Sequence, residues 1–230
     1  MEELKVIYED NHIIVVIKPQ NIPSQEDESK DKDMLTMVKE YIKVKENKPG
    51  NVYVGLVHRL DRPTGGVMVF AKTSKAASRL TQQLQTGEMH KKYVAVVVGK
   101  PKENRAKLVH YLLKNARTNT VQVVPELTTN AKRAELEYNV LDVKDKVTLI
   151  EVDLFTGRSH QIRAQMKHIG CPIYGDVKYG GDTLAKGHNL ALWAYELKFI
   201  HPTTKENMTF KVYPPDNIVP WSAFKLDILK

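Results

Sequence analysis

Three short segments of this sequence carry residue types that can do chemistry. The densest is His58-Arg59-Leu60-Asp61-Arg62-Pro63-Thr64-Gly65-Gly66, between two apolar runs. Pro63 disfavours helical backbone at Arg62, and Gly65-Gly66 permits a tight turn. Asp61 is therefore expected on a short connection between rigid strands, where catalytic groups are often placed. Arg59, Arg62 and His58 surround it with positive charge, which favours the ionised form of a carboxylate. An ionised, positioned carboxylate can serve as a nucleophile or a general base. Spacing alone leaves a structural Asp–Arg pair at a turn as the alternative.

The second segment runs from Thr156 through Gly157, Arg158, Ser159, His160, Gln161, Ile162 and Arg163 to Lys167 and His168, with no acidic residue in it. Thr156 is expected to cap a helix. Arg158, Ser159 and His160 would then stand at the helix N-terminus, where free N–H groups and the helix dipole attract phosphate. Arg163 adjoins Ile162 on the buried edge and would point inward, where a guanidinium needs an anionic partner. An ordinary basic amphipathic helix is the alternative. The third segment is Lys91-Lys92-Tyr93, at the head of an apolar strand. Tyr93 is there either as core with its hydroxyl at the rim or as an aromatic that stacks on a base.

Other chemistries lack support. The sequence has neither a phosphate-binding glycine loop followed by Lys-Ser/Thr nor a dinucleotide fingerprint. His168 and Cys171 share one feature with a zinc site, but no second pair accompanies them. Glu26, Asp27 and Glu28 are consecutive and cannot clamp a ligand from one face. These residues point to no metal site.

These segments need elements to hold them. Strands dominate the reading: His12 to Ile17, Val52 to Val57, Gly66 to Ala71, Val94 to Val98, Ala134 to Val140 and Ile150 to Leu154. Gly66 to Ala71 is nearly all apolar, as in a strand covered on both faces. Ala134 to Val140 alternates apolar and polar residues, as in a half-buried strand. Helices are expected at Met34 to Lys45, at Ser74 to Thr86 with a stop at Gly87, and at Ser159 to Ile169 before Gly170. The helix at Ser74 should bury Ala77, Leu80 and Leu84. The charged run Ser24 to Lys32 reads as a solvated loop. The tail from Pro214 should start irregular and then dock through Trp221, Phe224, Leu226, Ile228 and Leu229. Many strands and few helices without strict alternation indicate an α+β fold around a mixed, mainly antiparallel sheet.

Composition narrows the function classes. The 230 residues are ample for a real core, with 42% hydrophobic and 27% charged. No stretch approaches the ~18 uncharged apolar residues of a membrane span. The start, Met1-Glu2-Glu3-Leu4-Lys5, has no basic region followed by an apolar one, so no signal peptide is expected. The lone Cys171 fits a reducing, cytoplasmic setting. Lys plus Arg number 35 against 27 Asp plus Glu, a net charge of +8 with pI about 9.3. That balance favours a polyanionic partner, because each phosphate neutralised releases condensed counterions.

Taken in order, the segments resemble the RluA-type pseudouridine synthases over nearly the whole chain, from about Lys5 to Pro215. Tyr8-Glu9-Asp10 and Ile14 to Pro19 look like that family's first block. His58 to Asp61, then Gly65-Gly66 and Ala71-Lys72-Thr73, look like its catalytic block. Lys92-Tyr93 matches its active-site tyrosine segment. Thr156 to Arg163, continuing to Gly170-Cys171-Pro172-Ile173-Tyr174-Gly175-Asp176, looks like its third block, and Leu197 to Pro202 like its C-terminal strand. There are departures: Arg62-Pro63 replaces the usual lysine and acid, and Trp193 stands where histidine is commoner. No S4-type segment is recognised before the first block. The expectation is one stand-alone catalytic domain over 1–230, with its core at about 5–215 and a tail at 216–230.

The resemblance implies a pseudouridine-synthase core in two subdomains, with flanking helices and a central active-site cleft. It implies isomerisation of uridine in ribosomal or transfer RNA by a cytoplasmic, monomeric, cofactor-free enzyme that flips its target base. Asp61 would attack the nucleotide, Arg163 would orient it, and Tyr93 would stack on the uracil. Arg59 would fill the vacated place in the stack. Arg62, Arg158, His160 and Lys167, with Lys91 and Lys92, would contact RNA. His58 would support the loop rather than transfer protons. An RNA-binding module without activity is the main alternative. A hydrolase using Asp61 is another, but it lacks a second positioned carboxylate or a metal cluster.

Overall fold

A computed structural model describes residues 4–180 and 187–229. The chain forms two compact units, one of residues 1–90 with 194–212 and the other of 91–193 with 213–230.

The first unit is built on β1 (Lys5–Glu9), β2 (Ile13–Lys18), β3 (Gly55–Leu56), β4 (Gly65–Ala71), β10 (Leu192–Ile200) and β11 (Asn207–Lys211). All seven residues of β4 are buried, as its unbroken apolar run requires. β2 pairs antiparallel with β4 from Ile13 opposite Ala71 to Lys18 opposite Gly66. That register carries Lys18 to the end of β4 from which the Asp61 loop departs. Only Gly55 and Leu56 of the expected Val52 to Val57 strand pair with β4. Beyond them the chain leaves the ladder, and His58 Nε2 accepts the Val69 N–H at 3.1 Å.

Two helices flank this sheet with the predicted bounds. In α1 (Met34–Lys45) the Asp33 carboxylate accepts from Thr36 N, while Met34, Met37, Val38 and Ile42 are buried. In α2 (Ser74–Thr86) Thr73 accepts from Ala76 N, and Gly87 ends the helix at φ 79°. The buried face of α2 is Ala76, Leu80 and Gln83 rather than the expected Ala77, Leu80 and Leu84. Gln83 turns inward because its amide satisfies both backbone groups of Ile200, at 2.8 Å each.

The second unit is an antiparallel run in the order β5 (His90–Val98), β9 (Val147–Leu154), β8 (Lys132–Lys144), β6 (Arg105–Asn115) and β7 (Thr120–Val124). Leu112, Val121, Ala134, Ala164 and Tyr179 form a buried cluster that seats α3 (Gln161–His168) on this sheet. The tail docks as expected through single 3₁₀ turns, with Trp221, Phe224 and Leu229 buried, but Ile228 remains 53% exposed.

Candidate active site

The loop that carries Asp61 is fixed atom by atom from within the first unit. The Ser24 hydroxyl donates to the Leu60 carbonyl at 2.8 Å and accepts the Leu60 N–H at 3.1 Å. Thr64 N–H donates to the Asp61 carbonyl at 2.9 Å, which closes the turn. Gln20 donates to the Pro63 carbonyl at 3.0 Å. The Lys18 ammonium donates to the carbonyls of Pro19, Arg62 and Thr64 at 2.9, 2.9 and 2.7 Å. Each carbonyl from Leu60 to Thr64 therefore has a donor, which matters because a loop in a protein interior must satisfy its own backbone. The Asp61 side chain stands on a frame that cannot drift without breaking several of these bonds at once.

Lys18 and Ser24 were not expected at the site. Ser24 opens the run read as a solvated loop, yet it is buried because it clamps Leu60. Lys18 is fully buried. Burial pushes its ammonium down to about 7, while the Asp61 carboxylate pulls it up and Arg62 pushes it down. In its charged form, held by three carbonyl acceptors, Lys18 is within electrostatic reach of Asp61.

The arginines of this loop differ. Arg59 is exposed and makes no hydrogen bond or ion pair among the described residues. Arg62, a candidate for RNA contact, clasps the charged run. Its guanidinium donates to the Asn21 carbonyl at 3.1 Å and the Ser29 hydroxyl at 2.8 Å, pairs with Asp31, and lies 3.5 Å from Asp27. A phosphate would have to compete with both carboxylates.

In the second unit α3 begins at Gln161, later than the expected Ser159, and Thr156 does not cap it. The Gln161 side chain organises the approach instead. Its Oε1 accepts from Thr156 Oγ1 at 2.7 Å and from Arg158 N at 3.0 Å, and its Nε2 donates to the Glu135 carbonyl at 3.1 Å. His160 is the N-cap, in left-handed backbone at φ 50°, and its Nδ1 lies 2.8 Å from the Tyr179 hydroxyl.

Arg163 points inward as expected and is 5% exposed. Its Nε and Nη2 donate to Asp176 Oδ2 and Oδ1 at 2.8 and 2.7 Å, a two-pronged pair with side chains 6% and 0% exposed. Its guanidinium carbon lies 4.9 Å from the Tyr179 ring centroid. Tyr93 is buried on β5, opposite Val152 of β9.

The remaining candidates lie on β5, on α3 and on the turn before it. Lys91 is partly buried. Its ammonium lies 3.4 Å from where a Cβ on Gly157 would stand, and no carboxylate pairs with it among the described residues. Burial pushes its pKa down. Lys92 pairs with Glu151 at 2.9 Å and lies 3.6 Å from Asp153. Arg158 is exposed and donates to the Arg133 carbonyl at 3.0 Å, and Lys167 is exposed on α3. The second unit thus brings Tyr93, Lys91, His160 and Arg163 onto one short run of β5 and the start of α3, while Asp61 and Arg59 belong to the first. Among the described residues no cluster of His, Cys, Asp and Glu could hold a metal, and Cys171 is buried and free. Among the described residues no helix is long and apolar enough to cross a membrane.

The fold that carries these groups is shared with known structures. A human protein described as RNA pseudouridylate synthase domain containing 4 superposes with a TM-score of 0.78 at 22% identity, covering 92% of this chain and 88% of that one. The sequence comparisons fix the family. The family model described as RNA pseudouridylate synthase matches residues 12–168, which include Asp61, Tyr93 and Arg163. The ribosomal large subunit pseudouridine synthase C of Buchnera aphidicola is 32% identical over 210 residues, covering 88% of this chain. The ribosomal large subunit pseudouridine synthase D of Vibrio cholerae is 32% identical over 230 residues, covering 94% of this chain and 69% of its own length. The chain belongs to the RNA pseudouridylate synthase family. It spans 64% of the length of the Buchnera relative.

Proposed function

We propose that this chain isomerises uridine in RNA to pseudouridine, with Asp61 as the catalytic carboxylate. The observation that carries the reading is the Asp61 loop, whose backbone is held at every carbonyl from Leu60 to Thr64. Rigid placement of one reacting group is what an intramolecular rearrangement needs, since orientation supplies much of the rate.

In this reading Asp61 attacks the target nucleotide, the N1–C1′ bond breaks, the uracil turns, and C5 bonds to C1′. The proton on C5 leaves and N1 gains one, so the product is an isomer and the reaction needs no cofactor. Attack at C1′, addition to the base and removal of the C2′ proton are three routes that begin from the same carboxylate. Arg163 is the residue that orients Asp61. Tyr93 stacks on the uracil. The base must leave its stack at a cost of a few kcal/mol, and Arg59, which is exposed, fills the gap.

Arg158, His160, Lys167 and Lys91 contact the RNA backbone, with Lys92 and Arg62 held partly by their carboxylate partners. The names of the Buchnera and Vibrio relatives make ribosomal RNA the first substrate class to test, with transfer RNA second. The enzyme works on such RNA in the cytoplasm, as a monomer. Incubation with RNA tritiated at uridine C5 tests the function. A synthase releases tritium without cleaving the chain. Binding without release would make the chain a binding module, and release of free base or fragments would make it a hydrolase.

A further inference from the structure

We propose that Asp176 and Tyr179 are positioning residues for this reaction, which hold the Arg163 guanidinium in one orientation. The proposal rests on the reading of Arg163 as the group that orients Asp61.

An arginine side chain is long and flexible, and fixing it costs rotamer freedom. Here two side chains act on one guanidinium, and each is itself held in place. Asp176 takes its Nε and Nη2 edge with two parallel hydrogen bonds, which set both its position and its plane. The carboxylate is itself fixed, because Asp176 Oδ1 also accepts from the backbone N–H groups of Lys178 and Tyr179 at 3.1 and 3.0 Å. The Tyr179 ring closes one face of the guanidinium.

That ring is anchored at its far end. Its hydroxyl accepts the Val121 N–H at 2.7 Å and meets His160 Nδ1 at 2.8 Å, which ties it to β7 and to the N-cap of α3. The turn that presents both residues depends on Gly175, at φ 77°. A Cβ there would stand 2.1 Å from the Asn189 carbonyl oxygen. A pair that served burial alone could be replaced by apolar residues of similar volume. This one leaves the opposite guanidinium edge set in a defined direction, which a positioned cation requires and a packed core does not.

The test uses the full chain and RNA tritiated at uridine C5, prepared from cells that lack this gene. Asp176→Asn keeps an oxygen for the Lys178 and Tyr179 N–H groups, so the turn is retained while the charge and the two-pronged pair are lost. Its single-turnover rate of tritium release should fall by about a hundredfold, the scale of an ångström-level misplacement. RNA retention on filters should stay near wild type, while the melting temperature should fall because a buried guanidinium loses its charged partner, so rates are read well below that temperature. Asp176→Glu restores the charge and should recover part of the rate. Tyr179→Phe keeps the ring and loses the hydroxyl anchor, and should lie between wild type and Tyr179→Leu.

Arg163→Ala is the reference. If it is inactive while Asp176→Asn and Tyr179→Leu turn over at the wild-type rate, the positioning proposal is wrong and the reading of Arg163 stands. If Arg163→Ala is fully active, both fall. Should Asp176→Asn not fold, the Tyr179 pair decides alone: equal rates for Phe and Leu overturn the proposal.

Discussion

Gly66 is the second residue of β4, five residues beyond Asp61 and opposite Lys18, and its replacement by alanine tests how tightly the Asp61 loop is built in. Gly66 has φ 128°, a conformation that L side chains rarely adopt. A Cβ added there would stand 2.2 Å from the Ala194 carbonyl oxygen and 2.6 Å from its nitrogen, both backbone atoms. Relief to an ordinary contact needs more than an ångström of separation, which no side-chain rotation can supply. The conformational strain costs roughly 1–3 kcal/mol and the overpacking roughly 1–3 kcal/mol. Gly66→Ala should therefore destabilise the chain by about 3–5 kcal/mol and lower the melting temperature by about 10 °C. Two controls separate clash from simple loss of a glycine. Gly87 has φ 79° with nothing within 4 Å of its Cβ position, so Gly87→Ala should cost roughly 1–2 kcal/mol. Gly50 also has open space and no positive φ, so Gly50→Ala should be neutral within about 0.5 kcal/mol. Calorimetry and urea unfolding measure all three, and tritium release follows the loop. A Gly66→Ala protein that melts with Gly50→Ala would refute the close approach and the rigid loop built on it.

Three other outcomes follow from the structure. Lys18 has a folded value of about 7 against an ordinary 10.5, so below 7 both states are charged and the cost of its burial is fully present. Between those values only the unfolded chain keeps the proton, so stability should rise with pH across that window. The rise should vanish in Lys18→Met, and an equal rise in that variant would sink the assignment. Hydrogen bonds from Lys48 and Lys72 hold Glu46 at about 2, and burial of Glu9 is outweighed by Lys45 and Lys72, so both carboxylates lie below their ordinary 4.5. The stability they contribute is present above 4.5 and lost as pH falls towards 2, and acid unfolding midpoints should show a smaller loss in Lys72→Met. Lys91→Ala should weaken RNA binding and reduce its salt slope by about one if the ammonium meets a phosphate, whereas an unchanged slope would remove that contact.

Much of the frame was legible because local chemistry wrote it. Asp33 and Thr73 are side-chain caps and Gly87 a left-handed stop, so α1 and α2 were readable to the residue. β4 was readable because an unbroken apolar run can only be buried on both faces. The start of α3 was misread because Thr156 looks like a cap, while the long side chain of Gln161 reaches back and holds the preceding turn as coil. β6 and β7 are faint in the sequence because Arg105, Lys107, Lys114 and Asn115 place four cationic or amide side chains on a half-solvated ribbon, so its period is weak. At the site, Asp61 stood out as a carboxylate on a basic turn and Arg163 as a charge on the buried edge of a helix. Their supports did not, because Lys18 and Ser24 act through bonds spanning 36 to 46 positions in the chain. Asp176 was visible within a motif, but its partnership with Arg163 became evident only from the turn that brings them together.

The central claim concerns one carboxylate. Asp61→Asn changes a single oxygen to a nitrogen and leaves the bonds at Leu60, Arg62, Pro63 and Thr64 in place. With RNA tritiated at uridine C5, the variant should bind as wild type does and release no tritium above background. Release at the wild-type rate would show that the chemistry resides elsewhere.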